Sequence, residues 1–383
     1  MMLIASPVLL RADEAKTFFL PKSATAAAYV LDRLSNQELI EAPRGEFVYV
    51  ALLQRKGLER KYRVEALDGL AKLRHTDPLT ELLGALVALD KKDDAFASVL
   101  RDLSPVLLQA KPEELKARRS ALEKLAAESQ RPLTRKISFA AIVTADGDVD
   151  SVWNNAAADP AHLADLIRSV ELIRQPNLRA GFYSKVQPLI HKSDDPEVRR
   201  AAIAIISAIP GHEAESFNTL AAFVLSETEK PAALASLQRI PKSFWPKEST
   251  KPLLDAVMQD LGKAPADQRA TPDFINAVQF AKDFASFLPA EAAAVVGKTL
   301  RGLGSSVFLL RTIPEQMLFD QNLLVVEAGK SVEIILQNDD AMPHNLVITK
   351  PGAAEEVGNA AEKMSLTPDA QGRLYVPALP GCD

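Results

Sequence analysis

Between Ser23 and about Leu303 apolar residues return every three or four positions, and after Gly304 they return every two. That change of period constrains the chain more than any other feature. A 3.6 repeat puts apolar side chains on one side of a helix, and a repeat of two puts them on one face of a strand. The helical repeat is plain in Leu79, Leu82, Leu83 and Leu86, in Leu163, Leu166, Ile167 and Val170, and in Phe274, Ile275, Val278 and Phe284. Asp77-Pro78, Asp159-Pro160, Asp195-Pro196 and Thr271-Pro272 each set a capping side chain before a proline suited to the first helical position. Ser35 followed by Glu38 fits a capping box. Helices of about 10–16 residues joined by short loops imply a bundle or a stacked array.

At 383 residues the chain exceeds one ordinary core and suits two or more domains. The net charge of −5 is unevenly placed: residues 305–383 hold 5 Lys+Arg against 11 Asp+Glu, and the rest hold 40 against 39. Neither part has the basic excess that draws in nucleic acid. The one cysteine, Cys382, excludes an intrachain disulfide, a CxxC zinc site and a c-type haem site. No stretch approaches the roughly 20 apolar residues that span a bilayer. The opening MMLIASPVLL followed by Arg11-Ala12-Asp13-Glu14 resembles the end of a secretory signal, with Ala12 at the cleavage point and the charged start missing. Residues 1–22 are thus taken as a signal-peptide remnant and linker, and the protein is expected to be exported, periplasmic or otherwise extracytoplasmic.

Within residues 23–303, Asp195-Pro196-Glu197-Val198-Arg199-Arg200-Ala201-Ala202 with Ile205 resembles the second half of a HEAT repeat. The resemblance implies that Asp-Pro opens the inner helix and that the Val and Ala positions pack on neighbouring helices. The other Asp-Pro starts lack the Val-Arg-x-Ala run and are irregularly spaced. The expected fold is a degenerate HEAT-like α-solenoid, with an irregular helical domain as the alternative.

Residues 305–383 have a different grammar. Ser305–Ile313 and Leu323–Val326 suit strands, and Val332, Ile334 and Leu336 alternate with Glu333, Ile335 and Gln337. Leu346–Thr349 suits another strand, and Ala353 to Met364 a short helix with Val357, Ala360, Ala361 and Met364 on one face. Leu324–Asn338, with its Ala328-Gly329-Lys330 turn, followed by Pro343-His344-Asn345-Leu346-Val347-Ile348, is similar to the azurin, plastocyanin and auracyanin family of blue-copper proteins. In that family an Ala-Gly turn leads into a strand ending at Asn, and His-Asn opens the next strand. The resemblance covers about a fifth of the chain. It implies a partial Greek-key β-sandwich (cupredoxin) over 305–383, with His344 as a copper ligand and Asn345 bracing the copper loop by hydrogen bonds.

A blue-copper site takes two imidazoles and a thiolate in a near-trigonal plane with a weak axial thioether. The family supplies the remaining ligands on a late Cys…His…Met loop. No histidine follows His344, and the only cysteine, Cys382, stands in a Pro380-Gly381-Cys382 setting unlike the family's. Cys382 is kept as a weak copper candidate, and the chain is expected to be a fragment lacking that loop.

The remaining candidates are assigned to structure. His75, His162, His191 and His212 fall on separate helical units and are expected to be exposed or capping. Trp153 and Trp245 are expected to pack. Lys116-Ala117-Arg118-Arg119 is read as a solvated helix face, and Glu355-Glu356 as helix-start carboxylates. No Ser-His-Asp set, P-loop, Rossmann fingerprint or HExxH occurs, so no enzyme activity is expected. The expected function is copper-based electron transfer, with the helices as scaffold and a cytochrome or dehydrogenase domain as redox partner. Exported proteins that join helical repeats to an azurin-like domain resemble this layout. The alternative is a protein-binding scaffold whose β-domain carries no metal.

Overall fold

A computed structural model describes residues 19–93, 96–226, 228–265, 268–269, 271–303, 307–313, 318–324, 326, 332–338 and 344–362. The chain divides into two compact units, Met1–Val106 and Leu107–Asp383. The change of period near Gly304 therefore falls inside the second unit. Among the described residues every element from Ala24 to Gly302 is helical.

The first unit runs α1 (Ala24–Asp32), α2 (Asn36–Glu41), α3 (Glu46–Gln54), α4 (Arg60–Arg74) and α5 (Pro78–Asp90), and α6 (Ala97–Leu108) crosses into the second. The Ser35–Glu38 capping box forms at α2, and Asp77 accepts the Thr80 N–H at 3.0 Å to open α5. Helix α3 packs on α1, α2, α4 and α5. Its last turn leaves carbonyls without helical partners, and α4 meets them with a side chain. Arg63 has no exposed surface. Its guanidinium donates to the carbonyls of Leu53 at 2.8 Å and Arg55 at 2.9 Å, and to the Asp102 carboxylate at 2.8 Å. Burial pulls the Arg63 pKa below the usual guanidinium value, and Asp102 opposes that shift.

The second unit continues with α7 (Pro112–Ala117), α8 (Arg119–Glu128), α9 (Pro132–Asp146), α10 (Asp150–Ala156), α11 (Pro160–Arg168), α12 (Pro176–Ala180), α13 (Tyr183–Val186), α14 (Leu189–Lys192), α15 (Pro196–Ile205), α16 (Glu213–Ser226), α17 (Lys230–Leu237), α18 (Lys247–Lys263), α19 (Pro272–Ala285) and α20 (Ala290–Gly302). Helices α9, α11, α15, α17 and α19 form a row in which each packs on the next. Five further helices, α8, α10, α14, α16 and α18, flank the members of that row in the same order. Every helix of the row starts with proline in its first two positions. Asp159, Asp195 and Thr271 accept backbone N–H groups as their caps.

Burial explains the stacking. Helix α9 is buried continuously from Ile137 to Ala145, because α7, α8, α10 and α11 all pack on it. In α15, Val198, Ala201, Ala202, Ile203 and Ile205 are buried, as the Asp-Pro segment implied. Ion pairs join successive members: Arg135 with Asp165 at 2.6 Å, Arg168 with Glu197 at 2.9 Å, and Arg200 with Glu229, beside the start of α17, at 3.2 Å. Arg199 donates instead to the Ser193 carbonyl.

After α20 come β1 (Val307–Arg311), β2 (Glu333–Gln337) and α21 (Ala354–Glu362). The strands pair in parallel from Val307↔Glu333 to Arg311↔Gln337, which needs a crossover rather than a hairpin. Strand β1 packs on α19, as does α20.

Several β expectations are corrected among the described residues. The described β part shows a two-stranded parallel sheet, and no Greek-key sandwich is seen among the described residues. The described residues of Leu323–Val326 carry no ladder, and Leu346–Thr349 makes only an isolated bridge at Thr349. Chain becomes strand only where a neighbouring edge takes its hydrogen bonds, and the ladder among the described residues is that of β1 with β2. Strand β2 does not bury alternate residues: Glu333 is exposed and the next four are half-buried. In α21, Val357 is buried and Ala360 and Ala361 are half-buried, whereas Met364 lies outside the described residues.

Two outcomes follow from this packing. Ile205 is 2 % exposed, so Ile205→Ala should cost about 2–5 kcal/mol in denaturant melting. At α11 the His162 N–H, and then the Ala161 N–H, hold the Asp159 carboxyl below the usual carboxylate range. A depressed carboxyl adds stability above its unfolded pKa and loses it as pH falls through the folded value. Asp159→Ala should therefore cost about 1 kcal/mol at pH 7. The gap between variant and parent should close below about pH 4, read as melting temperature against pH.

Candidate functional site

Helix α19 is apolar around most of its surface, with Phe274, Ile275, Val278, Phe280, Ala281 and Phe284 buried. Asn276, Gln279 and Asp283 interrupt that pattern at spacings of three and four, which aligns them on one face. Two of these three residues hold the β segment directly.

Arg311, the last residue of β1, donates from Nη2 to Asn276 Oδ1 at 2.8 Å and to Gln238 Oε1 at 2.7 Å. Gln238 is the residue that closes α17, and its Nε2 donates to the Asn276 carbonyl at 2.8 Å. Gln321 donates to the Leu309 carbonyl at 2.7 Å and to Gln279 Oε1 at 3.2 Å. Gln279 in turn donates to Asp283 Oδ1 at 3.2 Å, which also takes Lys242 Nζ at 2.7 Å. The Lys282 ammonium stands over the Phe308 ring, 4.7 Å from its centroid. Burial lowers the Lys282 pKa, with Asp283 opposing. Burial raises that of Asp320, with the Arg311 N–H opposing. Thr312 Oγ1 meets Asn338 Oδ1 at 3.1 Å just past β2.

His344 lies seven residues past the end of β2 and is half-buried, and Asn345 beside it is exposed. His344 was expected to open a strand, and it stands instead in a stretch without regular structure, five residues before an isolated bridge at Thr349. Cys382 lies outside the described residues. Among those described, no group of three or more His, Cys, Asp or Glu is placed to hold a metal ion.

The other candidates are placed as follows. His75 caps the end of α4 in the left-handed region, φ 55°. His162 lends its backbone N–H to the Asp159 cap. His191 stacks on Phe223, and His212 stacks on Tyr183 while Nδ1 meets Glu215. Trp245 is buried among Phe217, Phe280, Phe284 and Phe287, and its Nε1 donates to the Ile240 carbonyl. Trp153 meets Phe182 edge-on. Arg119 departs from the solvated face expected of it. It pairs with Asp146 at 2.7 Å and with Glu123, bracing α8 on α9. Glu355 and Glu356 open α21 in the expected way.

Reading the sequence missed Gln238, Asn276, Gln279, Arg311 and Gln321. The polar 3–4 spacing on a strongly apolar helix was the signal available for two of them. Comparison with protein-family models, with curated proteins and with solved structures gives no match. No described helix is long and apolar enough to cross a membrane.

Lys282 provides a check on the electrostatics of this seam. Its lowered pKa means that burial of the ammonium outweighs the pull of Asp283. A base with a depressed folded pKa costs stability at low pH, and that cost is relieved as pH rises towards the unfolded value near 10.4. Lys282→Met should therefore melt higher than the parent at pH 7, with the difference shrinking towards pH 10.

Proposed function

We propose that the chain carries the front portion of an azurin- and plastocyanin-like blue-copper domain on a HEAT-like α-solenoid, and that its parent protein transfers single electrons. The carrying observation is the run from Leu324 to Asn338 with Pro343-His344-Asn345 at the family's distance. The position of β2, ending at Gln337 next to Asn338, supports this reading. So does the half-buried setting of His344. In this reading His344 supplies one imidazole, and Asn345 braces the loop around it. Cys382 is the thiolate available in this sequence. A rigid ligand frame lets copper change oxidation state with little rearrangement.

The stacked row from α9 to α19 supports the solenoid part, with the Val198–Ile205 face packed as the repeat requires. The redox partner would be a cytochrome or dehydrogenase domain, in an exported protein. The same row supports a second reading, a protein-binding scaffold whose β part carries no metal. The nucleotide sequence past codon 383 separates the two, since only the first requires a Cys…His…Met segment.

Anaerobic copper titration with optical and spin-resonance spectra tests the proposal. Residues 1–383 alone should bind copper weakly and show no intense thiolate-to-copper band, because one imidazole cannot build the trigonal set. Extension with a family-like Cys…His…Met loop should give the blue species, and His344→Ala in the extended protein should abolish it. A folded but colourless extended protein would sink the copper reading.

A further inference from the structure

We infer that Gln238, Asn276 and Gln279 form a lock that holds the β segment in one orientation on the helical row, so that strand and helices turn as one body. The argument rests on direction and on the number of anchors. Apolar contact is non-directional and tolerates sliding. Hydrogen bonds lose strength steeply when misaligned. Here the contacts between the β segment and the helices combine both kinds. Leu309 and Leu310 are buried, while Arg311 reaches α19 and the end of α17 with one nitrogen, at 2.8 and 2.7 Å.

Gln321 then ties the strand carbonyl of Leu309 to Gln279, one helical turn along α19 from Asn276. Gln238 and Asn276 are themselves joined at 2.8 Å, so the two helices present a single surface to Arg311. Arg269 donates to the Leu303 carbonyl at 2.8 Å and holds the end of α20 to the chain ahead of α19. Arg311 and Gln321 meet α19 at different residues, so turning the β segment about one contact strains the other. Gln279 is 7 % exposed, so a slipped strand would leave a buried amide without its partner, which is costly. Polar groups at such a seam favour a single register over its neighbours. The inference is independent of copper, since none of these residues belongs to the proposed ligand set.

Double electron–electron resonance on the full chain tests it. Nitroxides at Asn218→Cys on α16 and Glu333→Cys on β2, in a Cys382→Ser background, report the strand against the helices. Labels at Asn218→Cys and Gln259→Cys report the helices alone. All three labelled residues are exposed. The parent should give one narrow distance for both pairs. Arg311→Met should broaden the first distribution at least twofold and leave the second unchanged. Gln321→Ala and Asn276→Ala are milder variants that carry the same reading if Arg311→Met does not fold. A broad first distribution in the parent would overturn the inference, and so would an unchanged narrow peak in every folded variant.

Discussion

A helix that packs only on its neighbours in a row always has one more face to cover, and at α19 helix α20 and a strand both pack on it. Everything in the second unit from Pro132 onward depends on this requirement. Helices α11, α15 and α17 each pack on the row helix before and on the row helix after. At α19 the next neighbours in the chain are helix α20 and strand β1. The strand meets a helix face that is apolar but for a few amides, which explains why a two-stranded sheet finds a defined place there. Such a small sheet has little independent stability in water.

What the sequence makes legible follows from range. The helices and their starts were readable because period, proline and capping residue all act within a few positions. Asp159, Asp195 and Thr271 cap where their neighbours said they would. The buried face of α15 was readable for the same reason. The partners of α19 were not, because Arg311 reaches Gln238 across 73 positions and Asn276 across 35. Arg63 was equally hidden: nothing in Arg60-Lys61-Tyr62-Arg63 sets the fourth residue apart from the two other cations. Only the packing of α3 shows that it is the one turned inward. In the β region composition revealed extended chain, but pairing partners decide which extended segments become strand. His344 was legible through a motif, which is a different kind of signal from period.

The functional reading and the architecture bear on each other at one point. A carrier that passes single electrons works over short distances and gains from a fixed approach. The row and its seam would supply that without any ligand of their own. The charge is unevenly divided, with the acidic 305–383 segment following an almost neutral helical part, so the field of the chain is strongest around that segment.

The three ion pairs that link successive row helices are unlike one another in their surroundings. Arg135 and Asp165 are 13 % and 4 % exposed, whereas Arg168 with Glu197 and Arg200 with Glu229 are more open to water. Dissolved salt screens exposed pairs within about a nanometre and leaves buried ones nearly untouched. In concentrated electrolyte the pairs at α11–α15 and α15–α17 therefore weaken more than the pair at α9–α11. Those two joints then rest on their apolar faces, so dissolved salt separates the charged part of the stacking from the apolar part.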